Sequence, residues 1–228
     1  MAQRITIALD AMGGDNAPAS VVEGANLALK RFPDIHFQFY GNEEAIRPLL
    51  DGFPRLRGAA EIFHTDDVVS SDAKPSVALR QGTKSSMRLA INAVKNGDAN
   101  GVVSAGNTGA LMAMSKIVLR MLPNISRPAI ISYMPTAKSA CVMLDLGANI
   151  DCDSKILCQF AVMGDAFARA VLGVTSPSIG ILNIGEEEMK GHESLRDAYQ
   201  ILQDAENLNF HGFVEGTDIF KGVTDVVV

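Results

Sequence analysis

The sequence predicts an α/β fold, a three-layer α/β/α sandwich built on a largely parallel sheet, and three observations carry the prediction. Apolar runs of strand length alternate with segments of helix length in which apolar residues recur at helical spacing. Several runs break into short glycine-containing polar loops before the next helix, as βα junctions do. The 228 residues, 47% hydrophobic and 20% charged, can bury a large core and do not have the composition of a disordered chain. No repeat, low-complexity stretch or evident linker divides them, so residues 1–228 read as a single α/β/α domain.

Ile5–Leu9 reads as the first strand and Asp10–Asp15 as the loop after it. A helix from about Pro18 places Val21, Ala25, Ala28, Leu29 and Phe32 on one face. Phe37–Tyr40 is strand-like, Glu43–Leu50 a short helix and Glu61–Phe63 a brief strand. A long helical region, about Ser76–Lys95, is expected to break or kink near Gly82 and to stop at Asn96-Gly97. Val102-Val103 opens a strand that gives way to Ser104–Gly109 and restarts as a helix with Thr108 as the expected N-cap. Its apolar stripe is Leu111, Met112, Met114, Ile117, Val118 and Met121. Strands at Ala129–Tyr133, Cys141–Leu146, Ile179–Ile184 and Phe210–Val214 follow, with helices at about Ser154–Leu172 and Glu193–Glu206. Asp225–Val228 looks like the middle of a buried strand, and on that ground the chain is expected to lack its C-terminal part.

The net charge of −6 disfavours nonspecific nucleic-acid binding, and an acidic partner would have to meet a local basic patch. Three cysteines without a CxxC pair and a start without a signal-peptide profile point to reduced thiols and a cytoplasmic location. No apolar run approaches the ~20 residues of a membrane span. The four histidines lack metal-ligand spacing, so neither a metal nor another cofactor is expected.

In such sheets ligands bind beyond the carboxyl ends of the strands, which would gather Asp10–Asp15, Ser104–Thr108, Asp145–Asn149 and Asn183–Glu188 near one rim. The Ser104–Gly109 junction aims backbone N–H groups and the positive end of a helix at one point, where an anion such as phosphate binds. Ser104 and Asn107 could add side-chain hydrogen bonds; the plainer reading is a βα turn whose glycines only permit the bend. Arg80, Lys84 and Arg88 stand at i, i+4 and i+8, one side of a continuous helix and a second place for anionic charge. Alternatively they form a solvated basic face, or Ser85-Ser86 caps a new helix after Gly82. The acids of the Asp10–Asp15 loop disfavour a dinucleotide there and read as helix caps or as partners of a basic residue. Asn149 and Asn183 can each donate and accept, while Glu186–Glu188 could anchor Lys190 or open a helix. Cys141 and Cys158 fall in apolar patterns and read as core.

Seven motifs in order, ALDAMGGDNAP (8–18), KPSVALR (74–80), KSSM (84–87), VSAGNTGA (103–110), LDLGAN (144–149), LNIGEEEMKG (182–191) and FVEGTDIFKG (213–222), closely resemble the bacterial phosphate acyltransferase (PlsX) family. The resemblance covers essentially the whole chain. It implies a phosphotransacetylase/isocitrate-dehydrogenase-like fold and a transferase that moves a long fatty acyl group from acyl carrier protein to inorganic phosphate. The product, an acyl phosphate, would feed phospholipid synthesis. It further implies a homodimer, loose membrane association with a membrane acyltransferase as a candidate partner, and, beyond Val228, a glycine-containing loop and helices that this chain lacks.

On that reading phosphate is cradled by Ser104, Gly106, Asn107, Thr108 and Gly109 with Lys84 and Ser85, and Lys74 and Arg80 neutralise charge. Asn149 and Asn183 are candidates for the oxyanion or for positioning, and Lys190 for assisting the departing thiolate. Arg88, Lys95, Lys116, Arg120 and Arg127 are candidates for docking an acidic carrier. Transfer is expected to be direct, because phosphate is itself the nucleophile and no triad is visible. Two rivals stand beside it: a nucleotide-dependent decarboxylating dehydrogenase on the same fold, and a noncatalytic module that binds carrier protein or scaffolds membrane enzymes.

Overall fold

The computed structural model describes residues 4–185 and 190–228. The chain forms two compact units, Met1–Met121 and Leu122–Val228, each with its own sheet, where the sequence suggested one sheet in one domain.

In the first unit β1 (Thr6–Asp10), β2 (His36–Gly41), β3 (Ala60–His64) and β4 (Gly101–Val103) form an all-parallel sheet of order β3-β2-β1-β4. Successive residues of β1 serve opposite faces, as the two-residue strand period requires. Leu9 joins the core under α1 (Ala19–Arg31), α2 (Glu43–Asp51) and α3 (Pro54–Arg57). Ala8 packs on the other face with Ala90 and Ala93 of α5 (Ser86–Asn96). Both faces are therefore covered, the three-layer arrangement the sequence implied. The expected break at Gly82 is present: α4 (Pro75–Gln81) ends there, and α5 starts afresh with Ser85 as N-cap and ends on Gly97 at φ 82°. Arg80, Lys84 and Arg88 consequently do not share a helix, and the basic stripe expected of a continuous helix does not form.

In the second unit the order is β5-β6-β9-β7-β8, from β5 (Ser132–Pro135), β6 (Ala140–Met143), β7 (Ser178–Leu182), β8 (Asn209–Val214) and β9 (Val226–Val227). The pairs are parallel except β5 with β6. Val142, Phe213 and Val226 face α7 (Ser154–Phe167) and α8 (Glu193–Gln203), whereas Cys141, Val214 and Val227 face Ile219 of α9 (Gly216–Lys221). Gly164 of α7 lets Val226 and Leu144 approach where a Cβ would collide.

Three boundaries differ from the sequence reading. The strand expected at Ala129–Tyr133 starts only at Ser132, because Ile130 N–H donates to Asp145 Oδ1 at 2.7 Å rather than to a ladder partner. The strand expected through Leu146 stops at Met143, where the Asp145 carboxylate begins to gather the N–H groups of Ala148 and Asn149. The long helix from Ser154 changes to a π-helical turn at Ala168–Leu172 before Gly173 at φ 71°.

Candidate active site

In the first sheet the chain runs outward from β1 to β3 and then returns to place β4 on the other side of β1. The strand order therefore reverses between β1 and β4, the kind of switch point beyond which α/β sheets bind ligands. A cleft of about 690 Å³ lies there, lined by Met12, Gly14 and Asp15 after β1, Val68–Ser71, and Ala105–Gly109 after β4.

Its wall is the start of α6 (Thr108–Leu119). The N-cap is Asn107, not Thr108: Asn107 Oδ1 accepts from Ala110 N at 2.9 Å. Asn107 takes the cap because it holds the extended backbone that an N-cap requires (φ −62°, ψ 108°) and its side-chain oxygen meets the third N–H of the helix, whereas Thr108 is already the first helical residue. Its Nδ2 donates to the carbonyls of Ser70, Ser71 and Ala73 at 3.2, 2.9 and 2.9 Å, folding the 70–73 loop against the helix. Both ends of the amide are thus engaged inside the protein. Of α6, Thr108 and Gly109 line the cleft, and the N–H groups of this first turn have no intrahelical acceptor. Gly109 admits Pro75, whose Cγ lies 2.8 Å from where a Cβ would stand, so the starts of α4 and α6 are neighbours.

Beneath the cleft Asp10, 2% exposed at the end of β1, holds two elements at once. Its Oδ1 accepts from Ser86 Oγ at 2.6 Å and its Oδ2 from Ser104 Oγ at 2.7 Å. Ser104 Oγ in turn accepts from Gly106 N at 3.1 Å. Gly13 closes over this group: a Cβ there would stand 2.9 Å from both Gly106 N and Ser104 Oγ. Asp10 is thereby neither a simple helix cap nor a partner of a basic residue. It is a hydroxyl acceptor, and nothing in the sequence alone links position 10 to positions 86 and 104.

The other phosphate-side candidates are placed apart from the cleft lining. Ser85 is fully buried, with Oγ donating to Gly82 O at 2.7 Å and accepting from Arg88 N at 3.3 Å. The anion at the start of α5 is the protein's own Asp10 carboxylate, bonded to Ser86. Lys74, Arg80 and Lys84 are exposed; Lys74 precedes Pro75, and Arg80 Nε returns to Ser76 O at 3.2 Å.

In the second unit Asn149 Nδ2 donates to Pro128 O and Asp145 Oδ2, both at 2.9 Å, which ties the loop after β6 together. Asn183, 8% exposed after β7, accepts from Ile184 N at 2.9 Å and donates to Lys190 O at 3.1 Å. Gly191, at φ 87°, sits against the Asn183 amide and leaves no room for a Cβ. Glu186–Glu188 lie outside the described residues. Burial pushes the Cys141 thiol up to about 11, with Asp225 adding to it, and burial also raises Cys152 and Cys158. Among the described residues no three His, Cys, Asp or Glu side chains are grouped to hold a metal ion.

Residues 5–228 match the family model described as fatty acid synthesis protein. Over its full length the chain is 58% identical to a phosphate acyltransferase of Rhodospirillum centenum and 56% identical to one of Paramagnetospirillum magneticum. It spans just under two thirds of each, 64% and 65%. Among solved structures, a phosphotransacetylase from Streptococcus pyogenes superposes with a TM-score of 0.70 at 20% identity, covering 100% of this chain and 78% of the other. That likeness concerns the fold.

Proposed function

The chain belongs to the fatty acid synthesis protein family, and from that premise we propose that it transfers a long-chain acyl group from acyl carrier protein to inorganic phosphate. The name phosphate acyltransferase, carried by relatives at 58% and 56% identity, supports the reaction class. The observation that carries the phosphate half is the cleft at the β1/β4 switch point, walled by the N-terminal turn of a twelve-residue helix.

Transfer is direct. A phosphate oxygen attacks the thioester carbonyl, the tetrahedral intermediate collapses, the C–S bond breaks, and the thiolate leaves to be protonated. Phosphate is held by the Gly106–Gly109 turn, with Thr108 adding its hydroxyl; Lys74, Arg80 and Lys84, exposed outside the cleft lining, contribute positive charge at longer range. Ser85, Ser104 and Asn107 serve as braces, since their side chains are committed internally. Asn183 is the candidate for the oxyanion and Lys190 for the leaving thiolate, while Asn149 positions its own loop. Holding two reactants at attack distance contributes ~7–11 kcal/mol, so a site without an enzyme nucleophile suffices. The raised thiols accord with this, because a protonated cysteine is a poor nucleophile.

The protein acts as a homodimer on this reading, handing acyl phosphate to a membrane acyltransferase from the cytoplasm or the membrane surface. Among the described residues no helix is long and apolar enough to cross a membrane. The test is thiol release from palmitoyl-acyl carrier protein by the full-length protein, with and without inorganic phosphate. Phosphate-dependent release with a hydroxylamine-reactive product supports the proposal. Carrier binding without release would shift the reading to a noncatalytic module.

A further inference from the structure

Asp10 is a buried carboxylate that the transfer chemistry does not use, yet it touches the scaffold of the anion cleft from below. We propose that Asp10 is a positioning residue for phosphate binding, acting through Ser104 on the backbone of the Gly106–Gly109 turn; the inference rests on the phosphate-binding reading of that cleft.

Three observations lead there. Ser104 Oγ donates its only hydrogen to the carboxylate at 2.7 Å, which leaves Ser104 Oγ only lone pairs for other contacts. One lone pair accepts the Gly106 N–H at 3.1 Å, so the orientation of Ser104 fixes the first peptide of the turn. The second carboxylate oxygen is pinned by Ser86 at 2.6 Å, on a helix of eleven residues, so the carboxylate cannot rotate away from Ser104. Gly13 adds a steric lid, since its Cα stands 3.2 Å from where a Gly106 Cβ would be. Asp10 thus converts a flexible glycine-containing turn into a rigid one before phosphate arrives, and a preorganised site binds more tightly than one that must order on binding.

The arrangement also separates two roles that a sequence motif merges. Ser104 gives its hydrogen inward and makes no donation to the ligand, so anion recognition falls to backbone N–H groups and the Thr108 hydroxyl. Replacing Asp10 by Asn keeps the shape but puts a donor where an acceptor stood. One serine must then turn its hydroxyl, and the acceptor for Gly106 N–H is compromised.

The experiment measures phosphate and acyl-carrier KM, kcat and thermal midpoint for full-length wild type, Asp10→Asn and Ser104→Ala, with calorimetric titration of inorganic phosphate alongside. The expected result is a rise of about tenfold or more in the phosphate KM and dissociation constant for both variants, with the acyl-carrier KM within about twofold of wild type. A folded Asp10→Asn protein with phosphate affinity within about twofold of wild type overturns the proposal. If Asp10→Asn does not fold, Ser104→Ala removes only the arm to the turn, and unchanged phosphate affinity there overturns it equally. Wild type that binds phosphate but transfers nothing would sink the transfer reading and leave the role of Asp10 standing. Wild type that does not bind phosphate would sink both.

Discussion

The side-chain amide of Asn107 donates to Ala73 O at 2.9 Å while its oxygen accepts from Ala110 N at 2.9 Å, so one residue caps α6 and binds the 70–73 loop to it. Asn107→Ala removes the cap, worth ~1 kcal/mol, and an amide whose two N–H donors are shared among three carbonyls, each donor worth ~0.5 kcal/mol, the low end for partly exposed bonds. The expected destabilisation is about 2 kcal/mol, a fall of about 4–8 °C in a chain of this size. The phosphate KM should rise while acyl-carrier binding is kept. Asn107→Asp preserves the cap acceptor but faces three carbonyls with a carboxylate. It should therefore lose loop order, read as faster proteolysis at 68–73, without losing the helix start. Equal stability of wild type and Asn107→Ala by thermal melting would refute this account.

Two glycine-to-alanine changes should have opposite signs. At Gly13 an added Cβ presses on Gly106 N and Ser104 Oγ at 2.9 Å, backbone and braced side chain that cannot give way, and overpacking of that kind costs about 1–3 kcal/mol. At Gly24, exposed within α1, a Cβ meets nothing within 4 Å, so alanine should stabilise by up to about 1 kcal/mol. Thermal melts of both variants check the pair, and only Gly13→Ala should also weaken phosphate binding.

The alternation of strand and helix was legible because both faces of each sheet are covered and the apolar runs are correspondingly plain: β1, β2, β4, β7 and β8 lie within two residues of their sequence expectations. The break at Gly82 was legible from glycine and the two serines after it. Two short helices were not. Pro54–Arg57 and Gly216–Lys221 are too short for an apolar period, although the proline at the start of one and the Glu215/Asp218 capping box of the other were signals available at those positions. The site was legible only as a turn. That Ser104 and Asn107 point inward depends on Asp10, Ser86 and the 70–73 loop, contacts 94, 76 and up to 37 residues away that no local pattern encodes.

The cysteines predict an alkaline limit. Cys141 is raised to about 11 in the folded protein, mainly by burial, whereas an unfolded thiol titrates near ~8.5. The raised group contributes stability that is complete below the unfolded value and is lost as pH climbs from there towards 11. Chemical denaturation between pH 8 and 11 should show that decline. At pH 7.5 Cys141 should resist alkylation until the protein is unfolded, and transfer activity should survive treatment of the native protein with iodoacetamide. An acyl-enzyme thioester trapped on any of the three cysteines would overturn direct transfer.

Gly191 and Asn183 provide a separate test of the β7 loop. A residue other than glycine at φ 87° is strained by about 1–2 kcal/mol, and here its Cβ would also collide with the Asn183 amide. Gly191→Ala should displace Asn183 from its bond to Lys190 O, and Asn183→Ala should remove the amide outright. If Asn183 stabilises the oxyanion, both variants lose kcat together, by about 10²-fold for a lost donor. Calorimetric phosphate affinity should stay at the wild-type value, because the cleft residues all lie in the first unit. A fall in phosphate affinity with kcat retained would reverse the assignment, making the β7 loop a part of anion binding and leaving the oxyanion to another donor.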